Sequence, residues 1–157
     1  MGVVLAPVTG RAHVGGPDGA FSCETASGAP ADMRAISISD AKPLRIVASR
    51  SHGHAALAAL CETFAVGEDV SVGSSLKFCL LAEGKAQLYP RFTPTSEWDT
   101  AAGQAVLEAA GGAVLTLDGA PLAYGKAESG FLNPYFVAAS TLALAERAAA
   151  EMARLVA

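Results

Sequence analysis

The stretch Trp98-Asp99-Thr100-Ala101-Ala102-Gly103 opens the most clearly delimited helix of the sequence. From this point apolar side chains recur with the spacing of one helical face, at Ala102, Ala105, Val106, Ala109 and Ala110. The pair Gly111-Gly112 follows, and glycines of this kind mark the end of a helix. The pattern therefore predicts a helix with Asp99 at its N-terminus.

Asp99 has two interpretations at this position. A carboxylate at a helix start accepts hydrogen bonds from unpaired backbone N–H groups and suits the helix dipole, so Asp99 can be an ordinary helix cap. A carboxylate beside a loop can also bind a hard cation such as Mg²⁺. The helix pattern alone leaves both interpretations open.

The composition describes one domain with a substantial core. The chain has 157 residues, is 52% hydrophobic, and carries a formal charge of −4. No apolar run approaches the ~20 residues of a membrane span, and the first residues lack a signal-peptide layout. The negative charge and the lack of Lys/Arg clusters argue against a nucleic-acid surface. Cys23, Cys61 and Cys79 are widely spaced and odd in number, which predicts buried free thiols in a reducing cytoplasm.

Residues 1–40 and 41–157 differ in pattern, and we expect a boundary between them. The first segment has short apolar runs separated by turn signals, which predicts antiparallel strands at 3–6, 11–14 and 20–23 and a polar loop from Glu24 to Asp32. The second alternates strands with helices. Strands are predicted at 44–48, 69–72, 86–89, 113–117 and 135–139, and further helices after Ser51, after Gly73 and from Thr141 to Ala157. Such alternation predicts an α/β layered fold.

Polar residues cluster where predicted strands give way to helices, the places where α/β sheets bind ligands. Four places have this layout: Ser49-Arg50-Ser51-His52, Gly73-Ser74-Ser75 with Lys77, Pro90-Arg91 and Trp98-Asp99. Each has an ordinary alternative, since Ser51 and Ser74 suit helix caps and His52, Lys77 and Arg91 suit an exposed surface. Their repetition at successive strand ends favours a phosphorylated anion beside a metal ion.

The sequence blocks, taken in their order along the chain, resemble those of a known protein family. The blocks that carry this resemblance are Trp98-Asp99-Thr100-Ala101-Ala102-Gly103, Glu108-Ala109-Ala110-Gly111-Gly112, Ser49-Arg50-Ser51-His52, Gly73-Ser74-Ser75-Leu76-Lys77-Phe78-Cys79, Glu83-Gly84-Lys85-Ala86, Leu88-Tyr89-Pro90-Arg91-Phe92 and Leu132-Asn133-Pro134. Together they resemble the inositol monophosphatase superfamily, in its bacterial 3′(2′),5′-bisphosphate nucleotidase branch. The likeness runs from about Gly2 to Ser140.

The resemblance implies a fold, a reaction and a set of site residues. The fold is the C-terminal α/β layered domain of the inositol monophosphatase-like sugar phosphatases, plus remnant antiparallel strands of their first domain in residues 1–40. The reaction is Mg²⁺-dependent hydrolysis of adenosine 3′,5′-bisphosphate to AMP and phosphate, in sulfur assimilation, by a metal-activated water. Asp99 corresponds to a metal ligand. His52, Ser74, Lys77 and Arg91 correspond to residues around the nucleotide and its phosphates.

One departure from the family pattern concerns the metal. The family's Glu-Glu pair and Asp-Pro-x-Asp-Gly-Thr block do not occur here, and Gly16-Pro17-Asp18-Gly19 is only superficially similar to the second. One carboxylate is too few for a cluster of hard ions. We therefore expect this chain to correspond to the C-terminal part of such an enzyme, starting within a strand of the first domain, and to be inactive alone.

Two other functions stay open at this stage: an inositol or sugar phosphatase, and a non-catalytic fragment that binds nucleotide. Because a sheet cut at its edge exposes backbone and apolar surface, we expect self-association or pairing with a missing N-terminal half. The expected location is the cytoplasm, with peripheral contact with the cytoplasmic side of the inner membrane as a further expectation.

Overall fold

The computed structural model describes residues 1–48, 55–70 and 72–157. The chain begins with an antiparallel sheet, here called the N-terminal sheet, in the order β1-β2-β3-β4. Its strands are β1 (Gly2–Ala6), β2 (Arg11–Gly16), β3 (Gly19–Glu24) and β4 (Ala31–Ile36). The first three confirm the predicted strands. The fourth begins inside the predicted polar loop, and the loop prediction is wrong from Ala31 onward.

A second sheet, here called the central sheet, has the order β6-β5-β7-β11-β9. Its members in chain order are β5 (Leu44–Ile46), β6 (Val66–Asp69), β7 (Leu88–Arg91), β9 (Ala113–Thr116) and β11 (Phe136–Ala139). β5 runs parallel to β6 and β7, and β11 runs antiparallel to β7 and β9. A short antiparallel pair, β8 (Thr95–Ser96) with β10 (Leu132–Asn133), stands beside it.

Within the described residues, four α-helices accompany the two sheets. They are α1 (Ala55–Thr63), α2 (Leu76–Ala82), α3 (Ala101–Ala109) and α4 (Leu142–Val156). Each confirms a helix predicted from apolar spacing. Among the described residues, no helix is long and apolar enough to cross a membrane.

The core forms two layers of apolar side chains. One unites Val4 of β1, Phe78 of α2 and Val106 of α3 with Phe136 of the central sheet, so α2 and α3 lie between the two sheets. The other joins the opposite face of the central sheet to α1 and α4, through residues such as Leu60 and Met152. The molecule is therefore a layered α/β structure, as predicted. The expected domain boundary at residues 40/41 falls between β4 and β5 and stays a prediction.

An ionic cluster around the Glu83 carboxylate links the N-terminal sheet to the end of α2. Glu83 directly follows α2, and its Oε1 lies 3.0 Å from His13 Nε2 and 3.3 Å from an Arg11 nitrogen, both residues of β2. Lys85 Nζ lies 2.5 Å from the other carboxylate oxygen. Burial alone would raise the pKa of Glu83, but hydrogen bonds from His13 and Lys85 outweigh it and lower that pKa to about 2. Glu83 is therefore ionised and links two layers.

The three cysteines are free thiols, as predicted. Cys23 and Cys79 are buried, whereas Cys61 on α1 is only partly buried, so the expectation of burial is wrong for that residue. Burial, and the nearby Glu83 carboxylate after it, raise the pKa of Cys79 to about 12. The protonated thiol of Cys79 therefore behaves as a small apolar group of the core.

Candidate functional site

Four of the five predicted site residues line one cavity of about 450 Å³. Ser74 and Lys77 reach it from the start of α2, Arg91 from the end of β7, and Asp99 from the turn before α3. The fifth, His52, lies with Ser49, Arg50 and Ser51 outside the described residues. Strand ends and helix starts separated by up to 25 positions in sequence thus converge, as the α/β pattern predicts.

Asp99 is the last residue of a 3₁₀ turn, Glu97–Asp99, and it does not cap α3. The N-cap residue of α3 is Thr100. Asp99 instead accepts a hydrogen bond at Oδ2 from the Thr95 hydroxyl, at 3.1 Å, and at its backbone oxygen from the Ser75 hydroxyl, at 2.9 Å. The helix-cap interpretation is therefore wrong, and the carboxylate is held at the cavity wall.

The turn that carries Asp99 is anchored by Glu97. Its carboxylate accepts hydrogen bonds from the backbone N–H groups of Gly125 and Lys126, at 2.8 and 2.9 Å, and pairs with Lys126 Nζ at 2.8 Å. The Lys126 ammonium, with the two backbone donors, lowers the pKa of Glu97 to about 2. The buried Thr100 hydroxyl accepts a 2.9 Å bond from the Asn133 amide. The backbone on both sides of Asp99 is thus fixed by buried polar contacts.

Ser74, like Asp99, is not the N-cap residue of the helix that follows it. It has a left-handed backbone, with φ of 60°, and the N-cap residue of α2 is Ser75. The Ser75 side chain makes no capping bond to its own helix, because its hydroxyl donates to the Asp99 carbonyl. The cap alternative is therefore wrong for Ser74. The Ser74 backbone oxygen accepts from Lys77 Nζ at 3.5 Å.

Lys77 is a buried cation, which contradicts the surface-charge alternative. The residue is only 5% exposed, and its ammonium lies 5.4 Å from the centre of the Tyr89 ring. Burial, and the neighbouring Arg91 charge after it, lower the pKa of Lys77. A buried ammonium of this kind gains from an anion that enters the cavity.

Arg91 is the second cation of the cavity wall. Its Nε donates to the Thr93 carbonyl at 3.0 Å and its Nη2 to the Pro94 carbonyl at 3.4 Å, which orients the guanidinium. Within the described ranges, neither Lys77 nor Arg91 forms an ion pair with an acidic residue. The cavity therefore holds two cations that have no acidic ion-pair partner in the described chain, together with the Asp99 carboxylate. Such a cavity is suited to a phosphorylated ligand.

The structure adds two site residues that the sequence reasoning did not select. Tyr89 and Thr95 both line the cavity. Tyr89 precedes Arg91 by two positions on β7, and the two-residue repeat of a strand, which places both on one face, is the signal that could have identified it. Thr95 bonds Asp99 only because the chain turns back between β7 and α3, and no sequence signal marks that contact.

The described residues do not by themselves fit a magnesium cluster. Asp99 is the carboxylate of the cavity, and no group of three or more His, Cys, Asp or Glu is placed to hold a metal ion in the described part of the chain. Mg²⁺ needs several oxygen ligands. Asp99 supplies one, so it does not form a complete magnesium site.

The fold and the cavity define a layered α/β protein with two cations and a carboxylate in one cavity, and comparison with known proteins identifies its family. The model of the inositol monophosphatase family matches residues 1–156. The chain therefore belongs to the inositol monophosphatase family, which confirms the resemblance seen in its motifs.

Three similar proteins refine this assignment. The 3′(2′),5′-bisphosphate nucleotidase CysQ of Escherichia coli strain K12 is 46% identical over 136 residues, covering 87% of this chain and 53% of that protein. The crystal structure of CysQ from Bacteroides thetaiotaomicron is 35% identical, with a TM-score of 0.75 over 87% of this chain and 56% of that one. Mycobacterium tuberculosis SuhB, at 19% identity and a TM-score of 0.68, shares the fold over 98% of this chain and 58% of its own. The chain spans about half the length of the curated relatives it matches.

Proposed function

We propose that this chain forms part of a magnesium-dependent 3′(2′),5′-bisphosphate nucleotidase, a phosphoric monoester hydrolase that converts adenosine 3′,5′-bisphosphate to AMP and phosphate. The observation that carries the proposal is the cavity in which Lys77 and Arg91, without an acidic ion-pair partner in the described chain, face Asp99. The likeness to bisphosphate nucleotidases supports the choice of substrate.

In this proposal the cations bind and orient the phosphate groups. Lys77 supplies a buried point charge, and Arg91 a planar guanidinium already oriented by two carbonyls. Ser74 lines the same wall, and His52 stays a predicted contact of the nucleotide. Asp99 supplies one ligand of Mg²⁺, and bound metal would polarise the reacting phosphate. Because one carboxylate does not complete that site, we expect no turnover by the chain alone.

The test is phosphate release from adenosine 3′,5′-bisphosphate in Mg²⁺ buffer. We expect none from this chain alone, and turnover when the remaining half of a bisphosphate nucleotidase is supplied. In the active assembly, Lys77→Met and Arg91→Met should each lower kcat/KM by at least about tenfold, because each removes a charge-assisted contact. Arg34→Met, on the exposed strand β4, is the matched control and should have no effect. An assembly that forms but releases no phosphate would contradict the proposal.

Two alternatives are separated by simple measurements. Preference of the active assembly for inositol 1-phosphate over the nucleotide would favour a sugar phosphatase. Calorimetry that shows AMP binding to this chain in EDTA, with no turnover by any assembly, would favour a non-catalytic nucleotide-binding fragment. The single carboxylate of the cavity is the observation that keeps the second alternative open.

The cellular setting is proposed on the same grounds. A role in sulfur assimilation and a cytoplasmic location follow from the resemblance to bisphosphate nucleotidases. Peripheral contact with the inner membrane stays a prediction. We further propose self-association, or pairing with the other half of the enzyme, supported by the free edge of β1 and by its exposed Val3 and Leu5.

A further inference from the structure

Tyr89 lies at the centre of the cavity wall and is held rigidly from two sides. Its ring meets Phe78 edge-on, with centroids 5.3 Å apart, and Phe136 edge-on at 5.7 Å. Phe78 and Phe136 in turn stack on each other at 6.1 Å. Tyr89 is itself buried, yet it lines the cavity. Edge-to-face contacts of this kind are favourable and stabilise the observed orientation of the ring.

The aromatic cluster also connects Tyr89 to the helix that follows Asp99. Phe78 packs directly against Gly103 of α3, where a Cβ atom would lie 2.6 Å from the Phe78 ring. The absence of a side chain at Gly103 lets α3 and Phe78 approach closely. The position of the Tyr89 ring is therefore set in part by α3, the helix that follows the Asp99 turn.

The face of the Tyr89 ring contacts the Lys77 ammonium. The Nζ atom lies 5.4 Å from the ring centre, within the range of a cation–π contact. The Lys77 ammonium also donates a hydrogen bond to the Ser74 carbonyl, at the long distance of 3.5 Å. Lys77 has no acidic partner in the described part of the chain, so the Tyr89 ring is one of the few groups there that favour its charge.

The wall of the cavity around Tyr89 also carries the other two charged groups of the site, Arg91 and Asp99. Burial raises the pKa of Tyr89. Tyr89 and Arg91 also share one face of β7, which brings their side chains together.

We propose that Tyr89 is a positioning residue of the phosphate site, whose ring holds the Lys77 ammonium on the cavity wall. This inference rests on the proposed function, since it assigns a role within the same site. The ring and the hydroxyl of Tyr89 can be tested separately. Tyr89→Phe removes the hydroxyl and keeps the ring, whereas Tyr89→Leu removes both.

The first measurement is independent of any ligand. Lys77 ε-protons above the Tyr89 ring should show an upfield ring-current shift in NMR spectra of the full chain. Tyr89→Phe should keep this shift and Tyr89→Leu should abolish it. Lys126, whose Nζ lies 5.3 Å from the Tyr124 ring, is the internal reference and should not change in either variant. A Lys77 shift that survives in a folded Tyr89→Leu protein would overturn the proposal.

The second measurement is the affinity for inorganic phosphate, by NMR titration. We expect Tyr89→Phe, which keeps the ring, to leave Kd nearly unchanged, and Tyr89→Leu to raise Kd about tenfold, the change to which a lost cation–π contact converts. Tyr135→Phe changes a tyrosine outside the cavity and should leave Kd unchanged. Equal Kd values in all variants would overturn the proposal. If the unchanged chain binds no phosphate, the assignment of its cavity as a phosphate site is wrong, while the Lys77 shift still decides whether the Tyr89 ring holds the ammonium.

Discussion

At the scale of single residues, the proposed metal ligand Asp99 lines the cavity, but the described residues add few further oxygen ligands. Trp98, the one tryptophan of the chain, precedes Asp99 and is 70% exposed, so it can sensitise the luminescence of a bound lanthanide. We expect weak Tb³⁺ binding with emission excited through Trp98. Asp99→Asn should weaken this binding by about tenfold, because it removes the charged oxygen ligand.

The matched control for this measurement is Asp118→Asn. Asp118 is an exposed aspartate in the turn after β9 and does not line the cavity. It should leave the Tb³⁺ titration unchanged. Equal loss of emission in both variants would show that the lanthanide binds acidic surface in general, and the assignment of Asp99 as a metal ligand would be wrong.

The sequence predicts some residues of the site and not others. It predicts four because each follows a strand or begins a helix, and such positions converge at one edge of a sheet; these are Ser74, Lys77, Arg91 and Asp99. It does not predict Tyr89, because an aromatic residue in a strand normally belongs to the core. The Glu97 contacts to Gly125 and Lys126 bridge 28 and 29 positions, and local pattern carries no information on such distant pairs.

At the scale of elements, α3 owes its position to two glycines of the N-terminal sheet. Gly2 and Gly15 are cross-strand partners on β1 and β2, and both face α3. A Cβ atom at Gly15 would lie 2.5 Å from Val106 Cα and 2.7 Å from the Ala105 carbonyl oxygen. These are backbone atoms of α3, so the helix itself would have to shift.

Gly15→Ala should therefore destabilise the protein by about 3 kcal/mol, toward the upper end of the usual cost of overpacking. Gly16→Ala is the matched control one position along. A Cβ atom there meets only the flexible Met1 side chain, at 3.5 Å, and the change should stay within about 0.5 kcal/mol. Urea unfolding measures the stability of the two variants. Similar unfolding midpoints would contradict the close packing of Gly15 against α3.

The elements differ in how well pattern predicts them. α4 combines apolar spacing with a capping residue, and the Thr141 hydroxyl does accept from Leu144 N–H at 3.2 Å. β4 was missed because its side chains are exposed along most of its length, which removes the alternation that identifies a strand. β6 lies three residues earlier than predicted, since its pairing with β5, and not its own sequence, sets its register.

At the scale of the whole molecule, the free edge of the N-terminal sheet predicts self-association. β1 is an outer strand, and Val3 and Leu5 on it are more than half exposed. Light scattering should show dimers or larger species that dissociate on dilution. Leu5→Lys should reduce them, whereas Leu142→Lys, at a similarly exposed leucine on α4, should not. A monodisperse particle of 15.8 kDa would contradict the prediction.

The Glu83 cluster predicts how the stability of the whole molecule depends on pH. The pKa of Glu83 lies at about 2 in the folded state against an ordinary value of 4.5, so the folded state favours the carboxylate. Its contribution is present above pH 4.5 and is lost as the pH falls towards 2, and it amounts to roughly 3 kcal/mol.

Glu83→Gln should therefore lower the free energy of unfolding at pH 7 and flatten its decline between pH 4.5 and 2. The amide cannot ionise, and it leaves Arg11, His13 and Lys85 without their common anion. Glu151→Gln, at a carboxylate paired with Arg154 along α4, is the comparison. Because that pair joins residues of one helix at the surface, its loss should cost less. Urea unfolding at several pH values gives both curves. Parallel curves for wild type and Glu83→Gln below pH 4.5 would mean that Glu83 does not carry the acid sensitivity that links α2 to the N-terminal sheet.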